Sequence, residues 1–367
     1  MTFLDAVRAS LCQFAHIDEV SEVMAISLTA KKNTILYGPA GHGKSQMAMA
    51  VLKPLNPFVM SFGEGLTEDK LYGGIDFAAM NRKENPVMQY NAKNSFVKAK
   101  AAIFEEFFDA PRNVLLSLKD TLTAKCLRAG HQQEPMETEV IFGLTNKNPA
   151  EMRDLGPAEA ALLERFPLQF EVAWPTHSAH DYKEMFTNIK KTAEPLEAET
   201  ISFVRERFNE TVMSNHLMSV YLGLLESQAS KGTPISPRTA KAGVEIVRAS
   251  AASNGRLEVL SEDLVSLKYV GFDVTDFREE IRRRELATAI MAKLGALEGE
   301  ILDLRDKIKR CSSPIPALQC AKEATDLALK VAGIAVTDDF VVNRKAVAES
   351  AKRLEVEAVE LARKLTK

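Results

Sequence analysis

At 367 residues, 46% hydrophobic and 26% charged, the chain has room for about two or three globular domains with sizeable cores. Its net charge of −3 supplies no global field for nucleic acid, and its four cysteines (Cys12, Cys126, Cys311, Cys320) form no CxxC pair, which argues against a metal cluster or disulfide framework and for a reducing compartment. No apolar run approaches the ~20 residues of a membrane span, and the opening MTFLDAVRAS lacks a basic region followed by an apolar core, so no membrane segment or signal peptide is expected and the setting reads as cytoplasmic.

Residues 3 to 31 predict two helices, with Phe3, Val7, Leu11 and Phe14, then Val20, Val23, Met24 and Leu28, at helical spacing. Thr34 to Tyr37 is a short apolar, β-prone run. It leads into Gly38-Pro39-Ala40-Gly41-His42-Gly43-Lys44-Ser45, which fits the phosphate-binding pattern G-x-x-x-x-G-K-[ST]. In such a loop backbone N–H groups cradle phosphate oxygens, the lysine reaches the β- and γ-phosphates, and the hydroxyl ligates Mg²⁺. The helix starting near Lys44 adds partial positive charge at its N-terminus. The helical segment ahead of the loop offers Ile17 and Val20 as walls for an adenine base, or as ordinary core residues.

A second strand is predicted at Phe58 to Phe62, then a glycine-rich, loop-like stretch, GEGLTEDKLYGGIDFAAMNRKENPVMQY. Ala101 to Phe104 reads as a buried parallel strand that ends in Glu105 and Glu106. In an open α/β sheet ligands lie outside the carboxyl ends of the strands, so paired acids there belong beside the phosphate loop. Glu105 would hold the Mg²⁺ shell and Glu106 would polarise the attacking water. Asn113 to Lys125 predicts a helix, and CLRAGHQQEPMETE a hairpin-like loop. A fourth strand, Val140 to Asn146, ends in an amide that can hydrogen-bond a γ-phosphate or water. Ala158 to Arg165 predicts a helix and Leu168 to Ala173 a fifth strand. Arg165 at the helix end is either a solvated cap or an arginine finger for a neighbouring subunit in a ring.

Trp174-Pro175 marks a boundary, after which the pattern is helical to about Phe272. His177-Ser-Ala-His180-Asp181 has metal-like spacing but no further cluster nearby, and reads as a helix start. Ser236-Pro237-Arg238 opens another helix, with Arg238 placed to swing onto the phosphates. From Asp276 on, Leu286, Ile290, Leu294, Leu297, Ile301, Leu304 and Ile308, then Val347, Ala351, Leu354, Ala358, Leu361 and Leu365, step at 3–4 spacing. These predict an antiparallel helical hairpin or three-helix bundle, with Arg282-Arg283-Arg284 on a solvated face.

Taken in order, GPAGHGKS, FGEGLTEDKLYGG, AAIFEEFFDAP, VIFGLTNKNP, AALLERF and SPR resemble the MoxR family of AAA+ ATPases over about residues 10 to 272. The resemblance implies an α/β core with a five-stranded parallel sheet and flanking helices at residues 1–174, an all-helical lid at 175–275 and a helical extension at 276–367. It makes Gly38 to Ser45 the Walker A loop, Glu105 and Glu106 the Walker B acids, Asn146 sensor 1, Arg165 the arginine finger and Arg238 sensor 2. GEGLTEDKLYGG resembles the family's insertion in the second helix, and Ala129 to Glu139 its hairpin before sensor 1. Glu105 departs from the pattern, which has Asp at the first acid. The implied activity is ATP hydrolysis with Mg²⁺ in a homo-oligomeric ring, expected to be a hexamer. Such a ring would remodel or activate a protein client, paired with a von Willebrand factor A domain protein. Two alternatives stand beside it: a nucleic-acid motor, disfavoured by Glu134, Glu137 and Glu139 in the hairpin segment, and a slow nucleotide-gated scaffold, suggested by Glu105.

Overall fold

The structure, a computed structural model, describes residues 1–84, 86–174, 176–273, 277–336 and 340–366. The chain divides into two compact units, one of residues 1–221 and 225–275 and the other of residues 276–367 with 222–224.

The first unit opens with helices α1 (Phe3–Ser10) and α2 (Ile17–Ala30). Then follow β1 (Thr34–Tyr37), α3 (Lys44–Leu52), β2 (Phe58–Ser61) and the one-turn helices α4 (Glu68–Leu71) and α5 (Phe77–Met80). Next come β3 (Ala101–Glu105), α6 (Arg112–Ala124), β4 (Cys126–Ala129), β5 (Gln132–Pro135), β6 (Val140–Thr145), α7 (Pro149–Asp154), α8 (Pro157–Leu163) and β7 (Leu168–Glu171). Five of the strands form a parallel sheet in the order β2-β3-β6-β1-β7. The apolar runs read from the sequence become its buried central strands, with Thr34, Ile35 and Leu36 of β1 and all six residues of β6 buried. Gly143 in β6 has a packing reason. A Cβ there would meet Ile35 Cδ1 and Phe107 Cδ1, each at 2.8 Å.

This strand order positions the site. β6 lies between β1 and β3, so the loop after β1, Asn146 after β6 and the acids at the end of β3 share one edge of the sheet. β4 and β5 form an antiparallel hairpin within the stretch read as hairpin-like from Cys126 on, turning at Gly130, whose φ is +58°. One local expectation changes. Among the described residues, the stretch between β2 and β3 holds only short helical turns, so the insertion interrupts no long helix. It is a loop closed at its base by an Ile75–Tyr90 bridge. Gly73, at φ +92°, lets that closure form, because a Cβ would meet the Asn91 carbonyl oxygen at 2.2 Å.

The remainder of this unit is helical, with α9 (Ala179–Asn188), α10 (Ala198–Glu210), α11 (Asn215–Ser230), α12 (Pro237–Ser253) and a 3₁₀ run at Ser261–Val270. His177 to Asp181 does begin a helix. The Ser178 hydroxyl accepts from the Asp181 N–H, and the Asp181 carboxylate accepts from the Ser178 N–H at 2.8 Å. Ser236 caps α12, whose first residue is Pro237.

The second unit contains α13 (Phe277–Lys309), α14 (Pro314–Ala332) and α15 (Val341–Thr366). They share one core of Ile290, Leu294, Ile301, Leu304 and Ile308 with Cys320, Ala324, Val331, Val347, Ala351, Leu354 and Ala358, so the three-helix alternative holds. The expected seam drifts at its ends. Leu286 is 50% and Leu365 37% exposed, and Ala362 is buried instead, as 3.6 residues per turn rotates out of a 3.5 repeat. The expected boundary residues Pro175 and Asp276, and the side chain of Arg284, lie outside the described residues.

Candidate active site

Gly38 leaves β1 at φ +130°, and a Cβ there would stand 2.7 Å from the Val172 carbonyl oxygen. Only glycine accommodates that close approach of the loop to the chain after β7. Gly41 and Gly43 also have positive φ, at +83° and +79°. The loop and the strand ends enclose a hollow of about 430 Å³, lined by Gly41, Gly43, Lys44, Ser45, Ser61, Glu105, Glu106 and Asn146 among others. The structure therefore brings Ala40, Gly41, Gly43, Lys44, Ser45, Glu105, Glu106 and Asn146 together on one hollow, while Gly38, Pro39, His42 and the two arginines do not line it.

Lys44 is 8% exposed. Its ammonium donates to the Gly38 carbonyl at 2.6 Å, the Pro39 carbonyl at 2.7 Å and Asn146 Oδ1 at 3.0 Å. Burial lowers its pKa. A buried cation held by three neutral oxygens lacks a counter-charge, which an anion in the hollow would supply. Asn146 is thereby tied to the loop across the β1–β6 pair.

Glu106 sits in the left-handed region at φ +52°, ψ +39°, uncommon for a non-glycine residue and concentrated at functional sites. The next residue explains how this conformation is held. Phe107 is fully buried against Phe62, Phe104, Phe108 and Phe166, with ring centroids 4.8 to 5.7 Å away. That anchor turns the Glu106 carboxylate out into the hollow. Neither Glu105 nor Glu106 has a side-chain hydrogen bond or ion pair among the described residues, and the Ser45 hydroxyl is likewise without a partner. A hydroxyl and a carboxylate on one hollow are hard oxygen donors of the kind Mg²⁺ takes.

A second hollow of about 280 Å³ adjoins the loop, lined by His16, Val20, His42, Met47, Phe170 and Trp174 among others. Val20 lines this hollow, and Ile17 is half-buried outside the lining. Sequence patterning missed the aromatic rim. Trp174 has ring centroids at 5.6 Å from His16, 6.0 Å from His42, 5.8 Å from His177 and 5.6 Å from Tyr182. The available signal was an aromatic residue directly after the predicted fifth strand, Leu168 to Ala173, at its carboxyl edge.

Arg165 and Arg238 lie elsewhere. They line a third hollow of about 430 Å³ with Lys31, Lys32, Asn33, Lys125 and Lys241. Asn33 immediately precedes β1 and identifies this place as the amino edge of the sheet. Its side chain accepts from the Ile141 N–H at 3.1 Å and donates to the Arg165 carbonyl at 3.0 Å. Arg165 donates to Thr123 Oγ1 at 3.1 and 3.0 Å and to the Ala161 carbonyl at 2.5 Å, and burial followed by Arg238 lowers its pKa. Arg238 lies 3.7 Å from Glu164 Oε2. In this structure Arg238 stands away from its own phosphate loop. β1 separates the two hollows by roughly 13 Å, four residues at about 3.3 Å each.

Comparison with known proteins agrees with this geometry. A family model described as the MoxR domain in MoxR-vWA-beta-propeller ternary systems matches residues 2–210, more than half of the chain. The chain belongs to the MoxR family of AAA+ ATPases. An AAA lid domain model follows at residues 212–284 of this MoxR protein. An uncharacterised protein of Methanocaldococcus jannaschii, MJ0079, is 24% identical over 281 residues, covering 74% of this chain and 71% of its own. A crystal structure from Cytophaga hutchinsonii, described provisionally as an ATPase, superposes with a TM-score of 0.58 at 16% identity, covering 76% of this chain and 93% of that one. That likeness speaks to the fold. The five-stranded parallel sheet with flanking helices, the AAA lid and the helical C-terminal region together make this an AAA+ fold. Among the described residues no helix is long and apolar enough to cross a membrane.

Proposed function

We propose that this MoxR protein hydrolyses ATP in a cytoplasmic homo-oligomeric ring, read as a hexamer, to remodel or activate a protein client. The observation that carries the hydrolytic reading is the buried Lys44 ammonium without a counter-charge, facing one hollow with the unpartnered carboxylates of Glu105 and Glu106. The backbone of Gly38 to Ser45 would cradle the phosphates. Ser45 and Glu105 would hold Mg²⁺, which when bound withdraws charge from phosphate oxygens. Glu106 would take the proton of the attacking water, its carboxylate held by the Phe107 anchor, and Asn146 would orient that water or the γ-phosphate. The aromatic hollow at Val20 and Trp174 would take the base.

The placement of Arg165 and Arg238 at the opposite strand edge supports a ring, since both guanidiniums would serve the triphosphate of a neighbouring subunit. In this reading residues 1–174 bind nucleotide, 175–275 form the lid and 276–367 are an extension. The closed loop after β2 carries three exposed apolar side chains, Phe77, Met80 and Met88, suited to gripping a client. The description of the matching family, in ternary systems with vWA and beta-propeller proteins, makes such proteins the expected partners. Lys98 sits 3.3 Å from both Glu134 and Glu137, an acidic pairing in the hairpin segment that weighs against a basic stripe for nucleic acid. Glu106→Gln tests the reading. It is expected to bind ATP and assemble while losing about 10²- to 10⁴-fold in phosphate release. Hydrolysis at the normal rate would remove Glu106 from the mechanism.

A further inference from the structure

Cys311 and Cys320 are distant in pattern from any thiol motif, yet the second unit brings their sulfurs to 3.9 Å. Cys311 lies on the connector between α13 and α14, two residues beyond Lys309, where the backbone is no longer helical. It is half-exposed, and its thiol donates to the Lys307 carbonyl at 3.4 Å. Cys320 is in the middle of α14, fully buried within the three-helix core. The Lys307 ammonium, held by Glu323 at 2.7 Å, is within electrostatic reach of both thiols.

We infer that Cys311 and Cys320 form a reversible dithiol–disulfide modification site, oxidised by small disulfides of the glutathione class, that staples the α13–α14 connector. Three features carry this. A disulfide needs its sulfurs at about 2.05 Å, so closure requires a shift of roughly 2 Å, which the non-helical Cys311 can supply without moving α14. One thiol is reachable by solvent and the other is not, which divides their roles. The two sulfurs face each other within contact distance although nine residues and a helix start separate them in the chain.

The steps balance as thiol–disulfide exchange. Cys311, having lost its proton to water, attacks a sulfur of oxidised glutathione. A Cys311–glutathione bond forms, the original sulfur–sulfur bond breaks, and one glutathione thiolate leaves and takes a proton. Cys320 then loses its proton and attacks Cys311 Sγ, expelling the second glutathione. Two protein thiols and one small disulfide become one protein disulfide and two small thiols. Cys311 is the attacking sulfur because Cys320 is enclosed, and burial raises the pKa of its thiol.

The test uses the full chain incubated with oxidised glutathione, followed by thiol counting and peptide mapping. Two of the four thiols should be consumed, Cys311 and Cys320 should appear in one cross-linked peptide pair, and reductant should restore both. Cys320→Ser should accumulate a stable glutathione adduct on Cys311. In Cys311→Ser, reaction at the enclosed Cys320 should slow at least about 100-fold, since it must await local opening. Hydrogen exchange across residues 310–320 should slow in the oxidised wild type. The inference is overturned if a glutathione adduct is the end product in the wild type, if the cross-link involves Cys12, Cys126 or a second chain, or if neither thiol is consumed.

Discussion

If Arg165 and Arg238 both act on a neighbour's nucleotide, inactive variants should rescue one another in a specific pattern. Lys44→Ala removes the cradle's cation from a protomer and leaves its arginines in place. Arg165→Ala leaves the cradle and removes the finger, and alone should lose about 10³ to 10⁵ in rate. In a randomly mixed ring a productive site needs an Arg165→Ala protomer beside a Lys44→Ala protomer. Equal mixing makes that about half times half, so activity should recover to about a quarter of wild type whatever the ring size. Arg238→Ala mixed with Lys44→Ala should recover to the same extent, because Arg238 lines the same hollow as Arg165 and not the one at Lys44. Arg165→Ala mixed with Arg238→Ala should stay inactive, since each protomer then presents only one arginine. Steady-state phosphate release across mixing ratios is the assay, after exchange of subunits is confirmed by differential labelling. Recovery in the two-arginine mixture would place Arg238 on its own protomer's nucleotide and refute the shared hollow. No recovery in any mixture would remove the trans arrangement altogether.

Three further outcomes follow from the geometry. Trp174 is the single tryptophan of the chain and rims the hollow assigned to the base, so ATP should change its emission saturably, and the change should vanish in Lys44→Ala. Gly143→Ala should destabilise by about 1–3 kcal/mol in denaturant melts, because its methyl would press on Ile35 and on the Phe107 ring that seats Glu106. An unchanged midpoint would show that the β6 packing yields freely. The Asp181 carboxyl is held down to about 2 from 3.8, first by the hydroxyl of Thr176 and then by the Ser178 N–H. Its stabilising contribution is therefore complete above the unfolded value and lost as pH falls through about 2, so wild type and Asp181→Asn should differ in melting temperature at neutral pH and converge on acidification. A difference that persists at the lowest pH would contradict that linkage.

Much of the core was legible in the sequence. The glycine loop Gly38 to Ser45 is eight consecutive residues whose shape is made by its own backbone, so local pattern carries nearly all the information. Glu105, Glu106 and Asn146 were also legible, because parallel strands deliver their last residues to one edge and the chain names where each strand stops. The aromatic rim was hidden: Trp174, His16, His42, His177 and Tyr182 come from four separate segments with no shared period. The left-handed Glu106 was hidden for a different reason. Nothing in IFEEFF marks φ as positive, and the conformation follows from how Phe107 docks among four other rings.

The amino-acid sequence by itself thus determined the parallel-sheet core, the glycine loop with two acids at the same strand edge, the helical lid region and the amphipathic extension, all set by short-range periodicity and backbone chemistry. Only the tertiary structure decided which edge of the sheet holds Arg165 and Arg238, and that Cys311 and Cys320 meet. Those proximities arise from side chains packing across elements far apart in the chain, and residue spacing carries no record of distance once the chain has turned back on itself.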